Sequence, residues 1–236
     1  MFYYGFDLTY LIMVMPFVIL SIWASSNVNS TFKRYSKVYS RRGLTGAQAA
    51  EQVLKNNGVY NVRIERISGN LTDHFDPKSN VIRLSDNVYG NTSAAAIGVA
   101  CHEAGHAVQY AQDYAPIKLR AAIIPVTNIG SMLAMPLIVL GLVLNFMTEF
   151  SYTFVYIGIG CFGLSLLFQL ITLPVEFNAS QRAVSAISGA GLLDEQELDG
   201  AKKTLRAAAL TYVAAAAVSL MQLLRLILIF GGRRDD

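Results

Sequence analysis

The sequence predicts an α+β chain, mainly α: a multi-pass membrane protein of about four transmembrane helices with a small domain holding a short β-sheet and one motif-bearing helix. Three observations carry that expectation. Apolar residues make up 53% of the 236 positions, with a mean hydropathy of +0.41, above the ordinary soluble range. They collect in four runs, each near the ~20 residues a helix needs to cross a bilayer. The polar segment between the first two runs contains short stretches with the period-two alternation of strands. The stretch Ser93–Gln112 places His102 and His106 four residues apart, which is one face of a helix.

The first run, Phe6–Ala24, contains Pro16 and begins with Asp7 but no Lys or Arg. A signal peptide has a basic start and a shorter apolar core, so residues 1–25 read as an uncleaved anchor. Residues 26–120 form the first large polar segment. Within it Thr45 can cap a helix whose apolar stripe is Ala49, Val53 and Leu54, with Gly58 as its stop. Val62–Ile67 alternates apolar and charged residues, and Val81–Leu84 is a short β-branched run. Asp76–Asn80 between them is rich in turn formers, so 60–86 reads as a strand followed by a hairpin. Val81–Leu84 reads either as an edge on which an extended peptide could pair by strand addition or simply as a core strand. Ser93 opens the helix that carries the two histidines.

The second run, Ile129–Met147, sits in a span assigned to 121–147. The third, Tyr152–Leu173, has no charged residue and gives a span at 151–173. Residues 174–206 are polar again, with Glu176 and an acidic run Asp194–Asp199. The fourth run, Ala207–Phe230, is Ala-rich and carries Gln222 and Arg225, the latter near enough to its end to snorkel.

Charge sets the expected orientation. Twelve Lys and Arg lie between the first and second runs, including Lys33, Arg34, Lys37, Arg41 and Arg42, and four lie between the third and fourth. The connection Asn145–Ser151 has Glu149 and no base. Lys and Arg favour the cytoplasmic side, which places both polar segments inside the plasma (inner) membrane and both termini outside. The basic cluster at 33–42 follows a span directly, so it reads as lipid-facing or orienting and not as a nucleic-acid surface. Cys101 and Cys161 do not make a disulfide framework. Cys101 is turned off the His102/His106 face and reads as a small buried residue.

His102-Glu103-Ala104-Gly105-His106 is an HExxH motif. Both imidazoles can reach one metal ion, and Glu103 lies beside them as a base for a water that the metal activates. Zinc suits two imidazoles and a carboxylate with one position open. The third ligand has three candidates: Glu176, which two spans return to the same membrane face; Asp199, in Leu198-Asp199-Gly200; and His74, the remaining histidine. Glu176 is preferred. The Leu-Asp-Gly triplet resembles that of site-2-type intramembrane proteases, where it lies in an apolar helix, whereas here its surroundings are hydrophilic. Glu176 could alternatively cap a helix or pair with Arg182. Asp73 and Asp76 suit turn positions, and His74 could stabilise an oxyanion or bond within the hairpin.

The chain resembles the YugP-like family of membrane-bound neutral zinc metallopeptidases. The resemblance rests on Thr72–Pro77, Val81–Ser85, Cys101–Ala107, Pro174–Ser180 and Ala209–Val213, spread over about residues 43 to 229. It implies a zinc-dependent multi-pass peptidase, and so a zincin-like catalytic domain. The Glu176 segment is more distantly similar to the E-x-x-A-D segment of HtpX-type and CAAX-prenyl-type membrane proteases, where the glutamate binds zinc. This chain has Ser180 in place of that Asp. The triad His102, His106 and Glu176 for Zn2+, Glu103 as catalytic base, and His74, Asp73 and Arg182 as residues that could hold the ligands or the transition state complete the expected site.

The expected substrates are proteins or peptides at the membrane. His-Glu-Ala-Gly-His-Ala also occurs in FtsH-type ATP-dependent proteases, but no phosphate-cradling G-x-x-x-x-G-K-[ST] stretch is present. A separate ATPase or membrane scaffold stays open as a partner. The rival reading is a non-catalytic metal-binding scaffold or regulator of a protease complex. Against it, a purely structural zinc would be closed by four ligands and would need no base. A transporter is disfavoured by the scarcity of ionisable groups in the spans.

Overall fold

Pro16 shapes the start of the first helix. Proline offers no N–H and its ring crowds the carbonyl four residues back. The chain responds with a π-helical turn at Tyr10–Val14, in which the Met15 N–H donates to the Tyr10 carbonyl, and then continues as α1, Met15–Tyr35. The computed structural model describes residues 8–144 and 151–231. The start of the first apolar run, the connection with Glu149, the end of the second run, and Arg233 and Arg234 lie outside the described residues.

The described chain is mainly helical with one small sheet. The elements after α1 are α2 (Gly46–Asn56), β1 (Arg63–Ile67), β2 (His74–Asp76), β3 (Val81–Ser85), α3 (Asp86–Tyr89), α4 (Ala94–Ala111), α5 (Ala115–Leu144), α6 (Ser151–Gly189) and α7 (Glu195–Gly231). Four helices are long and apolar enough to cross a membrane: the first, α5, α6 and α7. The third and fourth apolar runs are parts of longer helices. The segment with Glu176 continues α6 past Pro174, and the acidic run Asp194–Asp199 leads into α7.

The chain divides into two units. The first comprises Met1–Trp23, Leu119–Leu173 and Thr211–Asp236. Its helices expose Ile12, Ile22, Ile129, Met132 and Leu228, as lipid-facing surfaces do. Polar side chains bond between helices: Ser131 Oγ to Ser165 Oγ at 2.6 Å, and Gln169 Nε2 to Ser219 Oγ at 2.6 Å. Arg225 has partners near the start of the first helix. Its Nε donates to Thr9 Oγ1 at 3.2 Å and its guanidinium lies 5.4 Å from the Tyr10 ring centre.

The second unit, Ala24–Lys118 with Pro174–Leu210, holds the sheet and the histidines. Thr45 and Gln48 form a capping box at the start of α2. The buried face of α2 joins Ile82, Leu84, Ile97, Ile187 and Leu192 in one core. The sheet order is β1-β3-β2, with β1 parallel and β2 antiparallel to β3. This decides the two readings of Val81–Leu84 for the core strand and against the edge. Val81–Leu84 belongs to the central strand, both of whose sides are paired, and its burial is nearly continuous. An apolar run with β-branched residues suits a strand covered on both faces. The free edges belong to β1 and β2.

The hairpin turn forms as its composition suggests. Asp76 accepts from the Lys78 N–H at 3.0 Å and the Ser79 hydroxyl at 2.6 Å, and Arg83 adds an ion pair at 3.2 Å. These donors, Ser79 first, hold the half-buried Asp76 carboxyl down at about 2.

Candidate metal centre

α4 begins with a cap: Ser93 Oγ accepts from the Ala96 N–H. The helix is nearly all small residues on the faces turned inward, so neighbouring backbones come close. Gly105 is the tightest point. A Cβ there would lie 2.8 Å from the Ala179 carbonyl oxygen of α6, so only glycine permits this crossing. The crossing sets His102 and His106 against Glu176, which lies one turn before Ala179 on α6. Their ring centres are 4.6 Å apart, nearly perpendicular.

The three side chains converge. Glu176 Oε2 is 3.3 Å from His102 Nε2 and 3.6 Å from His106 Nε2, and one potential ligand atom from each residue lies within 4.8 Å of the others. The Glu176 side chain is only 4% exposed. Burying a carboxylate costs several kcal/mol without compensation.

The surroundings fix which nitrogen faces Glu176. Arg182, which can only donate, gives its Nε–H to Asn178 Oδ1 at 2.7 Å. Gln109 Nε2 donates to the same Oδ1 and to the Val175 carbonyl, both at 2.9 Å. The amide nitrogen of Gln109 is thereby spent, and its Oε1 is an acceptor for His106 Nδ1–H at 3.0 Å. In the neutral ring, His106 Nε2 therefore turns a lone pair toward Glu176. For His102 the partner is Ser180 Oγ, 3.1 Å from its Nδ1; a hydroxyl can accept or donate there, and where it accepts from Nδ1–H the Nε2 lone pair likewise faces Glu176. Two imidazole lone pairs and a carboxylate oxygen directed at one small buried space repel one another, and a divalent cation removes that repulsion. This donor set suits zinc.

The remaining residues divide. Glu103 is 8% exposed on α4, between the two histidines in sequence. Asp73, just before β2, accepts from the Ser85 N–H at 2.7 Å and the Ser85 hydroxyl at 3.0 Å. Burial pushes the Asp73 carboxyl up, the Ser85 bonds oppose this, and the charge of nearby Glu103 adds to the rise. His74 is exposed on β2, where its Nδ1 lies 2.9 Å from the Thr72 carbonyl. Asp199 is exposed and pairs with Lys203 one turn on at 2.6 Å. Neither joins the group formed by the other three. Arg182 bonds Asn178 and Gln112 and lies 5.8 Å from the Tyr114 ring centre. Cys101 is fully buried and free, and burial pushes its thiol up. Gln109 and Asn178 were not singled out from the sequence. The spacing of three between His106 and Gln109 was the available signal, since such pairs share a helix face.

A membrane protein with a buried two-histidine, one-glutamate group is the class these features define. The chain matches the family described as "Putative neutral zinc metallopeptidase" over residues 10–231, and it belongs to that family. Membership implies Zn2+ as the metal. The chain is also 48% identical over 217 residues to the "Putative membrane protease YugP" of Bacillus subtilis (strain 168), covering 92% of this chain and 94% of that one. No solved structure matches it.

Proposed function

We propose that the chain is a membrane-embedded zinc metalloendopeptidase of the HExxH, gluzincin-like type, hydrolysing peptide bonds near the cytoplasmic membrane surface. The observation that carries this reading is the convergence of His102, His106 and Glu176 with Glu103 on the same helix. Zinc held by these three residues would polarise the scissile carbonyl and acidify water. Glu103 takes the proton of the attacking water and returns it to the leaving amine. Ser180 and the Gln109–Asn178–Arg182 chain hold the two imidazoles in the tautomer that leaves Nε2 free to bind. Asp73 orders the start of β2 through Ser85 and adds negative charge beside Glu103.

The zincin-like arrangement places an edge strand beside the motif helix. Here that strand is β2, whose Phe75 packs edge-to-face on Tyr110 of α4 with ring centres 5.6 Å apart. Its outer edge is the one on which we place an extended substrate, with backbone pairing supplying affinity. Substrates of this kind are membrane proteins or membrane-proximal segments.

Glu103→Gln tests the reading. An amide cannot shuttle a proton, and Glu103 is not a ligand. The variant should keep its zinc and lose proteolysis by far more than the roughly hundredfold minimum of general acid–base loss. Cleavage of a membrane-protein substrate by the variant at the wild-type rate would remove Glu103 as the base and leave it a packing or hydrogen-bonding role; a wild-type protein that binds zinc but cleaves nothing would favour the metal-binding scaffold or regulator.

A further inference from the structure

The basic cluster after the first span is not used by the metal centre. Arg34, near the end of α1, meets Lys203 and Arg206 of α7 around a cleft of 360 Å3 that Asn27, Thr31 and Tyr35 also line. That volume is within the range of small-ligand sites. Tyr35 organises the cations. Its ring centre lies 5.6 Å from the Arg34 guanidinium and 6.0 Å from Lys203 Nζ. The ring is seated on Gly200, where a Cβ would come within 2.7 Å of Tyr35 Cδ1.

Three like charges in one cleft repel, and little on the protein offsets them. Asp199 pairs with Lys203. Among the described residues no carboxylate pairs with Arg34 or Arg206. The cleft offers further hydrogen-bonding groups in the Asn27 amide and the hydroxyls of Thr31 and Tyr35. That combination suits a phosphate group.

Position selects the source of the phosphate. On α1 the apolar run ends at Ala24, one turn before Asn27. On α7 the apolar run begins at Ala207, directly after Arg206. The cleft therefore begins where hydrocarbon gives way to headgroups, at Asn27 and Arg206, and reaches outward to Arg34, about 15 Å beyond Ala24 along α1; basic residues engage anionic lipids in this zone.

We propose that Arg34, Lys203 and Arg206 form a site for the phosphate headgroup of an anionic phospholipid. Both arginines are exposed, and their replacement leaves the core and the metal ligands intact.

Retention of lipid by the full-length protein in neutral detergent, followed by native mass spectrometry, tests this. The probes are phosphatidylglycerol, phosphatidylcholine and inorganic phosphate. The wild type should retain phosphatidylglycerol over phosphatidylcholine, and inorganic phosphate should not displace it. The double variant Arg34→Gln/Arg206→Gln should bind phosphatidylglycerol about thirtyfold more weakly, at roughly 1 kcal/mol per basic residue, with its zinc content unchanged. Wild-type retention should also fall steeply as salt is raised, a result that needs no variant. Equal retention of the two lipids, or salt-independent retention, would overturn the proposal. Displacement by inorganic phosphate would reassign the site to a soluble anion and overturn the lipid assignment.

Discussion

Gln109 contributes to the centre without touching the metal position. It ties three groups together: His106 Nδ1, the Val175 carbonyl and Asn178. Replacing it by Ala removes the acceptor that orients His106 and leaves the buried Val175 carbonyl without this donor. Loss of such a supporting contact weakens metal binding about 10–100-fold. Gln109→Ala should show that loss in a competitive zinc titration while its helix content stays at the wild-type level. An unchanged zinc affinity would mean that packing alone holds His106. Ser180 has the corresponding position on His102, its hydroxyl lying 3.1 Å from His102 Nδ1.

Elements were legible in the sequence to the extent that their signals are local. The helix with His102 and His106 announces itself by spacing and by the Ser93 cap, and α2 by its Thr45 cap and its Ala49, Val53 and Leu54 stripe. The sheet order was not legible. β2 has only three residues, His74–Asp76, too few to show alternation, so the pairing that makes β3 central had no counterpart in the pattern. Nor was the close crossing of α4 and α6 visible, although Gly105 sits inside the motif. That crossing carries a prediction. Gly105→Val places side-chain atoms against the Ala179 carbonyl and must push the helices apart. Overpacking of this kind costs about 1–3 kcal/mol. The variant should unfold at lower temperature without metal and bind zinc at least tenfold more weakly. Wild-type zinc affinity in this variant would show that the approach at Gly105 does not set the ligand spacing.

At the scale of the molecule, the site is assembled from segments far apart in sequence, α4 and the continuation of α6, with the second and third apolar runs lying between them in the chain. Glu176 could be anticipated from the return that two spans make, whereas the supporting residues needed the tertiary structure. The proposed orientation follows from sixteen of nineteen Lys and Arg lying in the two polar segments. A cysteine placed at Thr148 should be labelled by an impermeant reagent added outside intact cells, and one at Asn70 should not. Labelling at Asn70 would invert the topology. The central claim is that His102, His106 and Glu176 hold one zinc ion. Metal analysis of purified full-length protein tests it most directly, comparing wild type with Glu176→Ala, His74→Ala and Asp199→Ala. The account predicts about one zinc per chain in the wild type, a large loss in Glu176→Ala, and retention in the other two. Full zinc in Glu176→Ala, with loss in Asp199→Ala or His74→Ala, would contradict it.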